Sequence, residues 1–127
     1  LGPDALDYDH KVPTATFTPH SSPAGMIWLE DKIYPAAYRH SFFVVRYGNL
    51  LQKEADSGFD LLQIKLQPPT NESETAVIKT LLHPLARPID LIEYAPGHII
   101  IAEYSRGRTY AAGLGQPGRL LSLRVKP

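Results

Sequence analysis

RPIDLIEYAPGHIIIAE, from Arg87 to Glu103, is the stretch of this 127-residue chain that decides the fold. Two short runs rich in Ile, Leu and Tyr flank Ala95-Pro96-Gly97-His98, where Pro and Gly stop any regular element and turn the chain back. An apolar run such as Ile99-Ile100-Ile101-Ala102, β-branched throughout its first three residues, favours the extended backbone. The stretch therefore predicts an antiparallel hairpin of strands 89–94 and 98–104. A Gly-rich loop follows, and Arg119 to Val125 (RLLSLRV) reads as a third strand over 119–125.

Upstream the same grammar repeats, with short runs of Ile, Val, Phe and Leu bounded by Gly, Pro, Asn and Asp. It predicts strands over 25–29, 41–47, 59–66 and 75–82. Only TAVIKTLL, from Thr75 to Leu82, has the composition of a helical turn or two, and its β-branched start decides for a strand. Twelve prolines, about twice the average usage, also argue against long helices. The fold class is all-β.

Composition removes several function classes. Thirteen Lys plus Arg balance thirteen Asp plus Glu, so the net charge is zero and nucleic acid is not an expected partner. No apolar run approaches the roughly 20 residues of a membrane-spanning helix. Without Cys there is no disulfide framework, thiolate zinc site or cysteine nucleophile. The histidines His10, His40, His83 and His98 show no metal-binding spacing. Arg106-Gly107-Arg108 with Gly113-Leu114-Gly115 lacks the Lys and the helix of a phosphate loop. Ser21 and Ser22 lie in no nucleophile elbow.

Four strands without a crossover helix suit an antiparallel meander of the kind that forms a propeller blade. The organisation expected is an extended, proline-rich lead-in over 1–23, a four-stranded blade over 24–82, and a three-stranded terminal blade over 83–127. That last blade would be completed by a strand from elsewhere in the protein. Two blades alone would expose sheet faces and unpaired edges, so upstream blades, on a separate chain or segment, are the expected partner. The lead-in does not have the pattern of a signal peptide, which a mature secreted chain would have lost, and a start at Leu1 without Met fits a processed N-terminus as well as an omitted Met. Asn71-Glu72-Ser73 matches the N-glycosylation sequon, so Asn71 is a candidate glycan site in a secreted protein; an unmodified polar loop is the alternative.

Three stretches carry a resemblance. HSSPAGMIW (His20 to Trp28), YPAAYRHSFFVV (Tyr34 to Val45), and RPIDLI with APGHIIIAE and QPGRLLSL (Arg87 to Leu123) stand in order and at near-equal spacing. Together they resemble the last blades of soluble PQQ-dependent glucose and sorbosone dehydrogenases, with the fungal pyranose dehydrogenases as the branch suggested. The resemblance implies the C-terminal blades of a six-bladed β-propeller that binds pyrroloquinoline quinone (PQQ) and Ca2+. It also implies oxidation of a pyranose or related sugar by hydride transfer to PQQ, an external electron acceptor, and a secreted location, periplasmic if bacterial. The catalytic base and calcium ligands are expected in upstream blades, so the chain would be active only with them.

The family's last-blade R-x-R-D pattern falls on Arg87, Ile89 and Asp90. The resemblance thus makes Arg87 a candidate PQQ ligand, with a solvated strand-end charge as the alternative, and Ile89 is a departure, since it cannot pair with a carboxylate. Arg46, which ends an apolar strand abruptly, is the second PQQ candidate; a salt bridge to Asp or Glu is its structural alternative. His20 is a candidate for the sugar mouth, or else a strand cap. Trp28 and Tyr104 are expected to pack between blades. The rival reading is a non-catalytic extracellular propeller that binds without a cofactor, and the Ile89 departure is the kind of loss it would show. A lactonase or glycosidase would need clustered carboxylates, which Asp56, Asp60, Asp90 and Glu93 do not visibly form.

Overall fold

The structure, a computed structural model, describes residues 14–49, 58–68, 75–105 and 116–126. These hold β1 (Pro23–Leu29), β2 (Ser41–Arg46), β3 (Asp60–Leu66), β4 (Ala76–Leu82), β5 (Pro88–Ala95), β6 (His98–Glu103) and β7 (Arg119–Arg124). Among the described residues there is no helix. Every expected strand is present, with bounds that move by two residues at most. The strands form two antiparallel sheets in sequence order, β1-β2-β3-β4 and β5-β6-β7.

Strand pairing sorts the side chains by face, because successive residues point to opposite sides of a sheet. In the first sheet Ile27 faces Phe43, and Val45 faces Leu61. In the second, Leu91 faces Ile101, which faces Leu121. These two rows meet. The core joins Leu29, Phe43, Val45 and Leu61 to Leu91, Ile99 and Ile101, with Tyr34 and Leu85 from the connections. Burying each such aliphatic or aromatic side chain is worth about 1.5–3 kcal/mol, so the contact between sheets is the main source of cohesion. The closest approach is between β1 and β5. A Cβ built on Gly25 would lie 2.7 Å from Asp90 Cα and 2.9 Å from the Leu91 nitrogen, so only glycine fits there.

The opposite faces are apolar as well. On the first sheet Trp28 faces Phe42, with ring centroids 4.7 Å apart, and Phe42 faces Ile64, which faces Ile78. Met26 on that face is 61% exposed. The outer face of the second sheet carries Ile92, Ile100, Tyr94 at 71% exposure and Leu120 at 73%. Apolar rows of this kind on two outward faces mark surfaces built for contact. No helix among the described residues is long and apolar enough to cross a membrane.

One end of the sheets is tied by Tyr34, from the β1–β2 connection. Its hydroxyl donates to Glu93 at 2.5 Å and accepts the Gly97 N–H at 3.1 Å, joining both sheets at the β5–β6 hairpin. Burial, and next the bond to the Glu93 carboxylate, push the Tyr34 pKa well above its ordinary value of 10.0. In the unfolded chain the phenol ionises near pH 10, whereas in the folded state it keeps its proton. The Tyr34 contribution is therefore complete below about pH 10 and is lost as the pH rises from there toward the folded pKa. Urea unfolding from pH 8 to 11 should show this fall, and Tyr34→Phe should remove it. Parallel pH profiles for the two proteins would contradict it.

Candidate functional site

The other end of the sheets gathers the start of β1, the end of β2, the start of β3, the β4–β5 connection and the end of β6. Most of the buried polar side chains lie here: Ser21, Asp60, Arg87, Glu103 and Ser105. The backbone that holds them is unusual. His20, Ser22 and Phe59 have φ of 59°, 48° and 57°, in the left-handed region that non-glycine residues seldom occupy. Gly58, at φ 89°, sits so close to the Gly48 Cα that an added Cβ would approach it to 2.7 Å. The segment before β1 is stitched to the end of β2 by N–H donation from Tyr47 to the Ser22 carbonyl (2.8 Å) and from Gly48 to Ser21 (3.1 Å). Such strain persists only where surrounding bonds hold it, and it concentrates at functional sites.

Arg87 lies just before β5 and is only 2% exposed. Its guanidinium is held between two aromatic rings of the first sheet's connections, 4.8 Å from the Tyr47 centroid and 4.7 Å from that of Phe59. It also donates to the Asn49 carbonyl at 3.0 Å. Its own carbonyl accepts from the Tyr104 N–H at 2.7 Å. Arg87 is thus a charged rivet between the two sheets, placed by the Pro88 that fixes the start of β5.

Arg46 lies opposite Asp60 in the β2–β3 register and pairs with it through two parallel bonds, Nε to Oδ1 at 2.8 Å and Nη2 to Oδ2 at 2.5 Å. Its third nitrogen donates to Thr18 at 2.9 Å. Asp60 is thereby committed to an ion pair, as the structural alternative for Arg46 expects. His20 is exposed on its left-handed turn. Arg87, Arg46 and His20 come from three separate segments and share this one end. Asn71 lies outside the described residues, as do Asp56 and the Arg106–Arg108 pair.

Glu103 is the residue that sequence reasoning passed over. Its side chain is fully buried, accepting the Ala86 N–H at 2.6 Å and Arg119 Nε at 2.5 Å. The signal was present in the alternation: Ile99, Ile101 and Glu103 form one inward row, so a carboxylate there must be buried and must have partners. Tyr47 and Phe59, which cover Arg87, gave no such signal, because they approach it only through the stacking of the sheets. His98 begins β6, as the expected strand 98–104 has it, and is half-buried, with its ring nitrogen 2.8 Å from Ser122 Oγ.

Among the described residues no group of three His, Asp or Glu could hold a metal ion. What the end offers is a rigid polar frame whose described guanidiniums are engaged with protein groups. Comparison with protein-family models, curated proteins and solved structures finds no match to the chain.

Proposed function

We propose that these sheets are the two C-terminal blades of a six-bladed β-propeller, and that the complete ring is a secreted PQQ-dependent sugar dehydrogenase. The ring reading is supported by two antiparallel meanders that meet at their leading strands β1 and β5, and by the exposed apolar rows on their outer faces. Each face then meets a neighbouring blade, and Trp28 falls between blades. The observation behind the quinoprotein reading is that Arg87, which the resemblance singles out, shares one end of both sheets with the two further candidates Arg46 and His20. Propeller cofactor sites occupy one end of the channel, so residues that frame such a site share one end of the sheets.

The arginines themselves do not fit the role of direct PQQ ligands. PQQ's carboxylates need guanidinium or ammonium edges turned toward them. Arg46 has both edges committed to Asp60 and Thr18, and Arg87 is buried between two rings. The grip on PQQ and Ca2+ therefore falls to other residues of the ring, and this chain supplies the frame. The same observation favours a second reading, a non-catalytic extracellular binding propeller. So does Ile89, 43% exposed where the family has its second Arg.

The test is to add PQQ and Ca2+ to the complete protein, then a panel of aldoses, and follow the reduced-quinone absorbance. The dehydrogenase reading predicts reduction by at least one sugar. Arg46→Gln is expected to act on stability first, lowering the urea midpoint, because it leaves the buried Asp60 carboxylate without its partner. No bound PQQ and no reduction would overturn the dehydrogenase reading in favour of the non-catalytic propeller.

A further inference from the structure

Two lines of contact leave the dipeptide Ala86-Arg87 at the polar end of the sheets, and each ends in a group that reaches solvent. Along the first, the Ala86 N–H donates to Glu103 Oε1 at 2.6 Å, and Glu103 Oε2 accepts from Arg119 Nε at 2.5 Å. The Glu103 side chain is fully buried, whereas that of Arg119 is 47% exposed. Among the described residues, Arg119 Nη1 and Nη2 have no hydrogen-bond partner. Along the second line, the Arg87 guanidinium stacks on Tyr47, whose ring centroid lies 6.4 Å from that of Tyr104 with 52° between the planes. Tyr104 is 54% exposed. The two ends are neighbours. Glu103 faces Arg119 across the β6–β7 pair, Tyr104 follows Glu103, and a Cβ on Gly118 would lie 2.7 Å from the Tyr104 carbonyl oxygen.

We propose that Arg119 and Tyr104 form a subsite for a planar organic carboxylate, the guanidinium donating to the carboxylate and the phenol ring covering one face of the ligand. The inference rests on the quinoprotein reading for the identity of that ligand, PQQ, and gives this chain a contact that Arg46 and Arg87 do not make. Arg46 has both edges committed and Arg87 is closed between two rings, but Arg119 is clamped along one edge only. Its remaining fork of N–H groups matches the two oxygens of a carboxylate. The buried Glu103 fixes that guanidinium before a ligand arrives, so less side-chain freedom is lost on binding. Because Glu103 also offsets the charge, the attraction is short-ranged and carried by the hydrogen bonds. Tyr104 is held just as firmly: its N–H donates to the Arg87 carbonyl at 2.7 Å, and its ring leans on Tyr47. It lies past the last residue of β6, at the end of the sheet, so blades stacked face to face leave it open. A flat ligand with a carboxylate uses both groups, whereas a neutral sugar leaves the Arg119 edge without an anionic acceptor.

Equilibrium dialysis of PQQ against the complete protein, without sugar, tests the subsite by affinity and not by turnover. Tyr104→Ala should weaken binding by on the order of tenfold, and Tyr104→Phe, which keeps the ring, by less than about twofold. Arg119→Gln should weaken it by about 10–100-fold and reduce its dependence on salt. That variant also strips a partner from the buried Glu103, so Arg119→Lys is measured beside it. The lysine keeps a charge next to Glu103 but lacks the fork, and should still bind about fivefold more weakly. Urea unfolding of each variant shows that it is folded, and the half-exposed Tyr104 supplies the answer if the Arg119 variants are not. Unchanged PQQ affinity in Tyr104→Ala, or in a folded Arg119→Lys, would overturn the subsite and leave the quinoprotein reading standing. Failure of the unaltered protein to bind PQQ would overturn that reading and the subsite with it.

Discussion

Replacing Arg87 with alanine lowers the unfolding free energy in urea by about 3–5 kcal/mol, the sum expected for a buried cation that loses two aromatic faces and a charged hydrogen bond. The reason lies in position as much as in contact. Arg87 precedes β5 in the second sheet, and its partners Tyr47, Phe59 and Asn49 belong to the first. Truncation leaves the Asn49 carbonyl without this donor and opens a void between two rings, at the place where the sheets must stay in register. Arg87→Lys keeps the charge but not the planar group that fits between the rings, so it should recover less than half of the loss. A loss under about 1 kcal/mol for the alanine variant would show that the guanidinium is not holding the sheets together. The measurement is made without PQQ, so that stability and cofactor affinity are read separately.

The second large effect is expected at Gly25. Its backbone is not left-handed, so the demand for glycine there is one of space alone. Gly25→Ala should cost about 2–3 kcal/mol and Gly25→Val more, the range for forcing atoms into a packed interior. The Cβ would meet Asp90 Oδ1 at 2.6 Å, but also the Asp90 Cα and the Leu91 nitrogen, which cannot swing away. For that reason Asp90→Ala should not rescue Gly25→Ala. Rescue would mean that the clash is with the flexible carboxylate and that β1 and β5 can separate at little cost.

The strands were legible because their signals are local. Ile99-Ile100-Ile101 between a Pro-Gly turn and a Gly-rich loop leaves few alternatives to a strand, and β-branched Thr75 and Val77 settle the TAVIKTLL ambiguity in the same direction. The pairing of Arg46 with a carboxylate was also foreseeable, since a charge that ends an apolar strand needs a partner; Asp60 supplies it across the β2–β3 hairpin. Arg87 was not legible in this way. Between Ala86 and Pro88 it reads as a charge at a strand end, and nothing nearby in sequence shows that Tyr47 and Phe59 will enclose it. Its burial is a property of how two sheets stack, and a local reading of one strand contains no term for that. Glu103 is intermediate: the alternation places it inward, but its partners Ala86 and Arg119 come from opposite sides of the sequence.

The proposed function rests on the two sheets being neighbours within a larger ring, and the outer faces test that proposal most directly. Hydroxyl-radical footprinting of the complete protein should find Met26, Trp28 and Tyr94 far less reactive than their exposure in the two sheets alone, 61%, 40% and 71%, would allow. Reaction of all three at the rate of open side chains would mean that no blade covers either face, and would contradict the propeller.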